Sequence, residues 1–138
     1  MENSTNLVLL DTSVWIDALR GKTLDIVENT RKLLKEDRVA TCGPVKFEIR
    51  RGLRNQERKG VLELFDALVC LSIQEALWEA AGDLAASLRG KGVNIPPMDV
   101  LIAQICLHND VTLFTLDEHF RLIPGLKLFE KAGPALRV

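Results

Sequence analysis

Residues 7–17 read LVLLDTSVWID, and this stretch decides the fold. Four consecutive apolar residues, Leu7 to Leu10, predict a short strand buried on both faces, because a strand with one wet face alternates apolar and polar side chains. Asp11, Thr12 and Ser13 follow at once. Val14, Trp15, Ile16, Ala18 and Leu19 then recur at a spacing closer to a helical than a strand period, and Gly21 ends the run. The result is a strand-to-helix junction with an acid at its tip. In open α/β sheets such tips border the crevice where ligands bind, and the helix N-terminus beyond favours anions. Taken alone, Asp11 equally fits a helix N-cap whose carboxylate accepts a free backbone N–H of the first turn.

Composition sets the outer bounds. The 138 residues fit one domain, residues 1–138, large enough to bury a core without staples. Hydrophobic residues at 47% and charged residues at 27% are ordinary for a soluble globular protein. A formal net charge of -1 argues against a chain that coats nucleic acid by bulk charge, while leaving room for a local basic face. Cys42, Cys70 and Cys106 stand in apolar surroundings at wide, irregular spacing, which predicts small buried hydrophobes rather than a disulfide framework or a thiolate metal site. The polar start MENSTN has no basic segment leading into an apolar run, and no stretch is apolar for long enough to span a bilayer. A cytoplasmic protein without membrane association is expected.

Strand and helix patterns then alternate along the chain. TLDIVENTRKLLKED, residues 23–37, is an amphipathic helix with acids near its start and lysines near its end. Arg38 to Cys42 reads as a short strand, and Gly43-Pro44 opens a helix that runs to about Asn55. At ~100° per residue its core stripe is Val45, Ile49 and Leu53, with Glu48 at the stripe's edge and Arg51 on the same side. Lys46, Arg50 and Arg54 form a separate row. An apolar stripe from Val61 to Val69 leads into a predicted third strand, Cys70 to Ile73, and residues 74–92 give a long helix rich in alanine. After Pro96-Pro97 comes a helix apolar nearly all round, the mark of burial, whose one charged residue between Met98 and Leu107 is Asp99. A first-turn acid suits the helix dipole, yet an ionised carboxylate beside so apolar a face is costly unless paired, hydrogen-bonded or bound to a cation. Val111 to Phe114 is a second strand of the Leu7–Leu10 type, with Thr115 and Asp117 just beyond its end. Phe120 is placed to pack that turn onto the core, and Leu126 to Glu130 reads as an edge strand.

Asp11 and Asp117 thus follow strands, while Glu48 and Asp99 lie on helices that begin near strand ends. Right-handed crossovers in a parallel sheet with helices on both faces bring such ends to one edge. Four carboxylates gathered there repel one another until raised pKa values or a bound cation relieves them. Oxygen donors without cysteine or histidine at ligand spacing point to Mg²⁺ or Mn²⁺. Such ions serve the hydrolysis of phosphodiesters by polarising phosphoryl oxygens and activating water. Ser13, Thr12 and Thr115 are positioned to hydrogen-bond the carboxylates or a scissile phosphate. Lys46, Arg50, Arg51 and Arg54 would hold a nucleic-acid backbone, unless they are a solvated helix face.

DTSVWID with Asp11, FEIRRGL with Glu48, PPMDVLIAQIC with Asp99 and TLDEHF with Thr115 and Asp117 resemble, in order, the four motifs of the PIN-domain family. The short length and the wording DTSVWIDALRG are most similar to the VapC toxins of toxin–antitoxin pairs. The resemblance runs from about Leu7 to Phe129. It implies an α/β/α sandwich around a parallel sheet, and a Mg²⁺- or Mn²⁺-dependent endoribonuclease acting on structured RNA such as tRNA or rRNA. It also implies a homodimer, and a cognate VapB-like antitoxin that blocks the acidic site. Asp11, Glu48, Asp99 and Asp117 would be the metal-binding and catalytic acids, with Ser13 and Thr115 as supporting hydroxyls. Where many family members carry another acid, two residues after the last, this chain has His119.

Two other folds with acids at strand tips fit less well. A phosphotransfer receiver needs paired acids after its first strand and a lysine after its last, and a haloacid-dehalogenase-type phosphatase needs an Asp where this chain has Ser13. A binding module that keeps the fold without cutting would be expected to lack one or more of the four acids, and all four are present.

Overall fold

The structure, a computed structural model, describes residues 6–130. The sequence expectations for the first five residues and the KAGPALRV tail lie outside them. The chain runs β1 (Val8–Leu10), α1 (Thr12–Arg20), α2 (Leu24–Lys35), β2 (Val39–Cys42), α3 (Gly43–Gly52) and α4 (Asn55–Asp66). It continues with β3 (Val69–Leu71), α5 (Glu75–Gly90), α6 (Pro97–Asn109), β4 (Thr112–Phe114) and a 3-10 turn, Glu118–Leu122. Each crossover between strands is a pair of helices, and the six helices flank one sheet as the three-layer α/β/α sandwich expected of the chain.

The sheet is parallel throughout, in the order β3-β2-β1-β4. Val8 to Leu10 pair with Thr112 to Phe114 on one side, and Val8 and Leu9 with Val39 and Ala40 on the other. β1 is buried along its whole length, as four consecutive apolar residues demand of a strand covered on both faces. Growth of the sheet proceeds outward from β1 through β2 to β3, then returns to the opposite side of β1 for β4. The switch point therefore lies between β1 and β4, where open α/β sheets bind their ligands.

Local chemistry sets the helix ends. α1 closes on Gly21, whose φ of 64° is left-handed and whose N–H reaches Ala18 O. Asp17, also buried, accepts Thr23 N at 3.0 Å and Thr23 Oγ1 at 2.8 Å and so pins the turn into α2. α6 opens on Pro97 and buries Val100, Ile102, Ala103, Ile105 and Cys106. Trp15 of α1 packs on Phe65 of α4, ring centroids 4.6 Å apart.

Four expectations need correction. The third strand is Val69–Leu71, beginning one residue earlier than predicted and ending two earlier, because its partners are Ala40 to Cys42 and the pairing stops where β2 stops. Cys70 is exposed, since β3 is an edge strand that leaves Val69 and Cys70 in solvent and only Leu71 half-buried, whereas Cys42 and Cys106 are buried. Residues 126–130 form a single parallel bridge, Leu113 to Leu128, with Phe129 packed on Phe114. The helix expected to reach Asn55 stops at Gly52, where Leu53 turns extended and Arg54 caps α4.

Phe120 is fully buried on the 3-10 turn beyond β4, as the sequence predicts. Phe120→Ala should lower the unfolding free energy by about 3–5 kcal/mol in urea denaturation. A loss below about 1 kcal/mol would mean that the turn is not anchored through this ring.

Candidate metal centre

Asp11 sits at the switch point and is 2% exposed. Its N–H donates to Phe114 O at 2.9 Å, extending the β1–β4 pairing by one residue. It occupies the N-cap position of α1, yet its side chain makes no capping bond. The carboxylate is instead claimed from across the site. Ser13 Oγ donates to Oδ2 at 2.9 Å and Thr115 Oγ1 donates to the same oxygen at 2.7 Å. Each hydroxyl is itself oriented by a backbone amide, Leu116 N on Ser13 Oγ at 3.1 Å and Asp117 N on Thr115 Oγ1 at 3.0 Å. A hydroxyl has one proton, and an amide bound to its lone pair leaves that proton free to point at the carboxylate.

The second part of the site joins α6 to the 3-10 turn. Asp99 stands in the first turn of α6, and His119 Nε2 lies 3.0 Å from its Oδ2. One ligand atom from each of Asp99, Asp117 and His119 falls within 4.8 Å of the others. Asp117 is exposed, while the Asp99 and His119 side chains are 16% and 34% exposed, so the group opens to solvent on one side. His119 is held from behind by buried Phe120, ring centroids 4.9 Å apart. The sequence marks it by its position two beyond Asp117, where the resemblance expects an acid, and a turn tight enough to bring residues 117 and 119 to one side adds it to the group.

Burial pushes the Asp99 carboxyl up to about 6, and the charges of Asp11 and Asp117 push the same way, partly opposed by His119. Asp11 is also raised, by burial first, against the pull of the Thr115 and Ser13 hydrogen bonds, with the Asp117 charge adding to the rise. Three carboxylates are thus close enough to disfavour one another's ionisation. Burial pushes the Cys42 thiol up to about 12, which keeps it neutral and out of the ligand set.

Glu48 is fixed differently. It accepts Thr12 Oγ1 at 2.6 Å, which ties α3 to the first residue of α1, and it stands apart from the Asp99–Asp117–His119 group. The basic residues do not form one row. Lys46 donates to Cys70 Sγ at 3.7 Å, Arg54 caps α4, and the Arg51 guanidinium lies 5.7 Å from the centroid of the Phe47 ring. The i, i+4 row Lys46, Arg50, Arg54 is broken because α3 ends before Arg54.

The donor set itself tests the fit of a metal. Carboxylate oxygens suit hard divalent cations, and a cation removes the mutual repulsion that raises Asp99 and Asp11. Asp99, Asp117 and His119, with Asp11 beside them, fit that requirement.

Comparison with known proteins agrees with this architecture. Residues 8–126 match the model of the PIN domain. Ribonuclease VapC19 of Mycobacterium tuberculosis is 29% identical over 120 residues, covering 86% of this chain and 96% of the relative. VapC ribonuclease Mb1587 of Mycobacterium bovis is 28% identical over 132 residues, covering 92% and 98%. The structure of VapBC2 from Rickettsia felis bound to a promoter DNA fragment superposes with a TM-score of 0.75 at 23% identity, covering 89% of this chain and 97% of that one. VapBC-1 from nontypeable Haemophilus influenzae gives 0.75 at 24% identity, covering 90% and 97%. With a match that runs from the first strand to beyond the last, the chain belongs to the PIN-domain family.

Proposed function

We propose that this chain is a VapC-like toxin, a divalent-metal-dependent endoribonuclease that hydrolyses phosphodiester bonds in structured RNA such as tRNA or rRNA. The observation that carries the reading is the convergence of Asp99, Asp117 and His119 beside buried Asp11 at the β1–β4 switch point. The ribonuclease names of its relatives in two mycobacteria support it. Mg²⁺ or Mn²⁺ is the proposed ion, held by Asp99, Asp117 and Asp11, with Glu48 as the fourth acid. When bound, such an ion polarises a phosphoryl oxygen and lowers the pKa of water.

The chain's own residues do the rest. Ser13 and Thr115 fix the Asp11 carboxylate, so that its position costs no reorganisation when substrate arrives. Thr12 holds Glu48 in the same way. Arg51, Arg50, Arg54 and Lys46 would meet backbone phosphates, with Arg51 next to the exposed Phe47 ring.

The partners follow the same reading. A VapB-like antitoxin fits the structural relatives, which are VapBC assemblies. A groove between α1, α2 and α4, lined by Trp15, Leu19, Val27, Thr30, Leu34 and Leu64, suits an amphipathic segment of such a partner. Trp15 Nε1 and Thr30 Oγ1 are both buried without a hydrogen-bond partner among the described residues. A homodimer is proposed with them, since Phe47 on α3 and Trp78 on α5 stay 56% and 51% exposed. No helix of the described residues is long and apolar enough to cross a membrane. The cytoplasm is the proposed location.

Cleavage of total cellular RNA by the purified chain tests the reading. Discrete fragments should form with Mg²⁺ or Mn²⁺ and vanish with chelator. Folded Asp99→Asn should cut more than about 100-fold slower, beyond the usual effect of changing an outer partner of a ligand. Silence of the wild type on tRNA and rRNA, once freed of any co-purified inhibitor, would replace the nuclease by a binding module.

Electrostatics gives a second test without RNA. A carboxyl raised on folding binds its proton more tightly in the folded chain, so the stability it contributes is present below the unfolded value and lost as pH rises. For Asp99 that window runs from about 4 to about 6. In chelator, wild-type Tm should fall relative to Asp99→Asn across this window, leaving the variant the more stable at pH 7. A wild type that gains on the variant as pH rises would contradict the assigned repulsion.

A further inference from the structure

His119 is the one member of the three-residue group that is not an acid. We infer that His119 binds the metal directly through its imidazole nitrogen and thereby turns the site from Mg²⁺ toward Mn²⁺. The inference rests on the metal-dependent reading above and extends it to the choice of ion.

Geometry carries it. Adjacent ligands about 2.1 Å from an octahedral ion stand about 3.0 Å apart. His119 Nε2 and Asp99 Oδ2 are 3.0 Å apart, so the contact that is a hydrogen bond in the free protein already has the spacing of two neighbouring ligands. An Asp117 oxygen lies within 4.8 Å of both. The ring's swing is restricted, because it packs at a tilt of 39° against fully buried Phe120, centroids 4.9 Å apart. It remains 34% exposed, which leaves a path for an ion from solvent.

Chemistry sets the direction of the preference. Mg²⁺ takes oxygen ligands and keeps much of its water, whereas imidazole suits transition metals. Mn²⁺ accepts both donor types. A neutral imidazole in place of a carboxylate also removes one negative charge, which weakens the hold on a hard cation most. The other histidine, His108, is exposed in the last turn of α6, nine residues and roughly 13 Å along the helix from Asp99. It cannot share the ion.

Pulsed electron paramagnetic resonance of Mn²⁺ bound to the full chain tests this, beside calorimetric titration of Mn²⁺ and of Mg²⁺. Wild type should show nitrogen coupling to Mn²⁺. His119→Asp should lose the coupling and raise Mg²⁺ affinity relative to Mn²⁺ by roughly tenfold, the lower end of what ligand surroundings contribute. Mn²⁺ bound to wild type without nitrogen coupling would overturn the inference, and would assign His119 to orienting Asp99 from outside. That spectrum needs no variant to fold. Nitrogen-coupled Mn²⁺ in a chain that cleaves no RNA would keep this inference and reject the nuclease. Metal-dependent cleavage without the coupling would do the reverse.

Discussion

A carboxylate with 2% exposure has to be satisfied, and the arrangement around Asp11 is organised by that demand. Its two hydroxyl donors come from opposite ends of the sequence, Ser13 two residues away and Thr115 more than a hundred. Both can serve it only if β4 lies beside β1, with Asp11 N–H bonded to Phe114 O at the junction. The sheet order and the acid therefore specify each other. Shifting β4 by one residue would withdraw Thr115 and leave the carboxylate desolvated with one donor fewer.

Buried and half-buried acids in this chain divide by how they are answered. Asp17 accepts two hydrogen bonds from Thr23 and locks a turn. Asp99 faces two other carboxylates and a histidine, and its burial is answered only in part. The first arrangement is self-sufficient. The second leaves excess negative potential, which a cation would offset under the proposed metal-dependent function.

Much of this was legible in the sequence because the signals were redundant. Leu7 to Leu10 announced a doubly covered strand, and the apolar surround of Asp99 marked a helix with an acid out of place. The acids Asp11, Asp99 and Asp117 come together at one edge, and Glu48 is anchored nearby by Thr12. What escaped depended on where backbones stop. α3 ends at Gly52, so Arg54 leaves the row that an uninterrupted 3.6-residue period gives it. β3 is an edge strand, a fact set by sheet order rather than by its own apolar residues, and it leaves Cys70 exposed. His119 was visible only as a departure from an expected acid, because ligand spacing along a sequence says nothing of a 3-10 turn that folds the side chain back toward α6.

The placement of β4 also has a meaning in time. A ribosome makes the chain in the order of its residues, and domains tend to fold as their residues emerge. β1, β2 and β3 can assemble early, but β1 keeps one edge open until residues 112–114 arrive. Thr115, Asp117 and His119 follow that strand directly, so the acidic group and the donors to Asp11 are completed together, after the other three strands. A chain that ends between α6 and β4 carries Asp11, Glu48 and Asp99 but lacks Asp117 and His119. The order of the strands thus delays the acidic group until the sheet is complete.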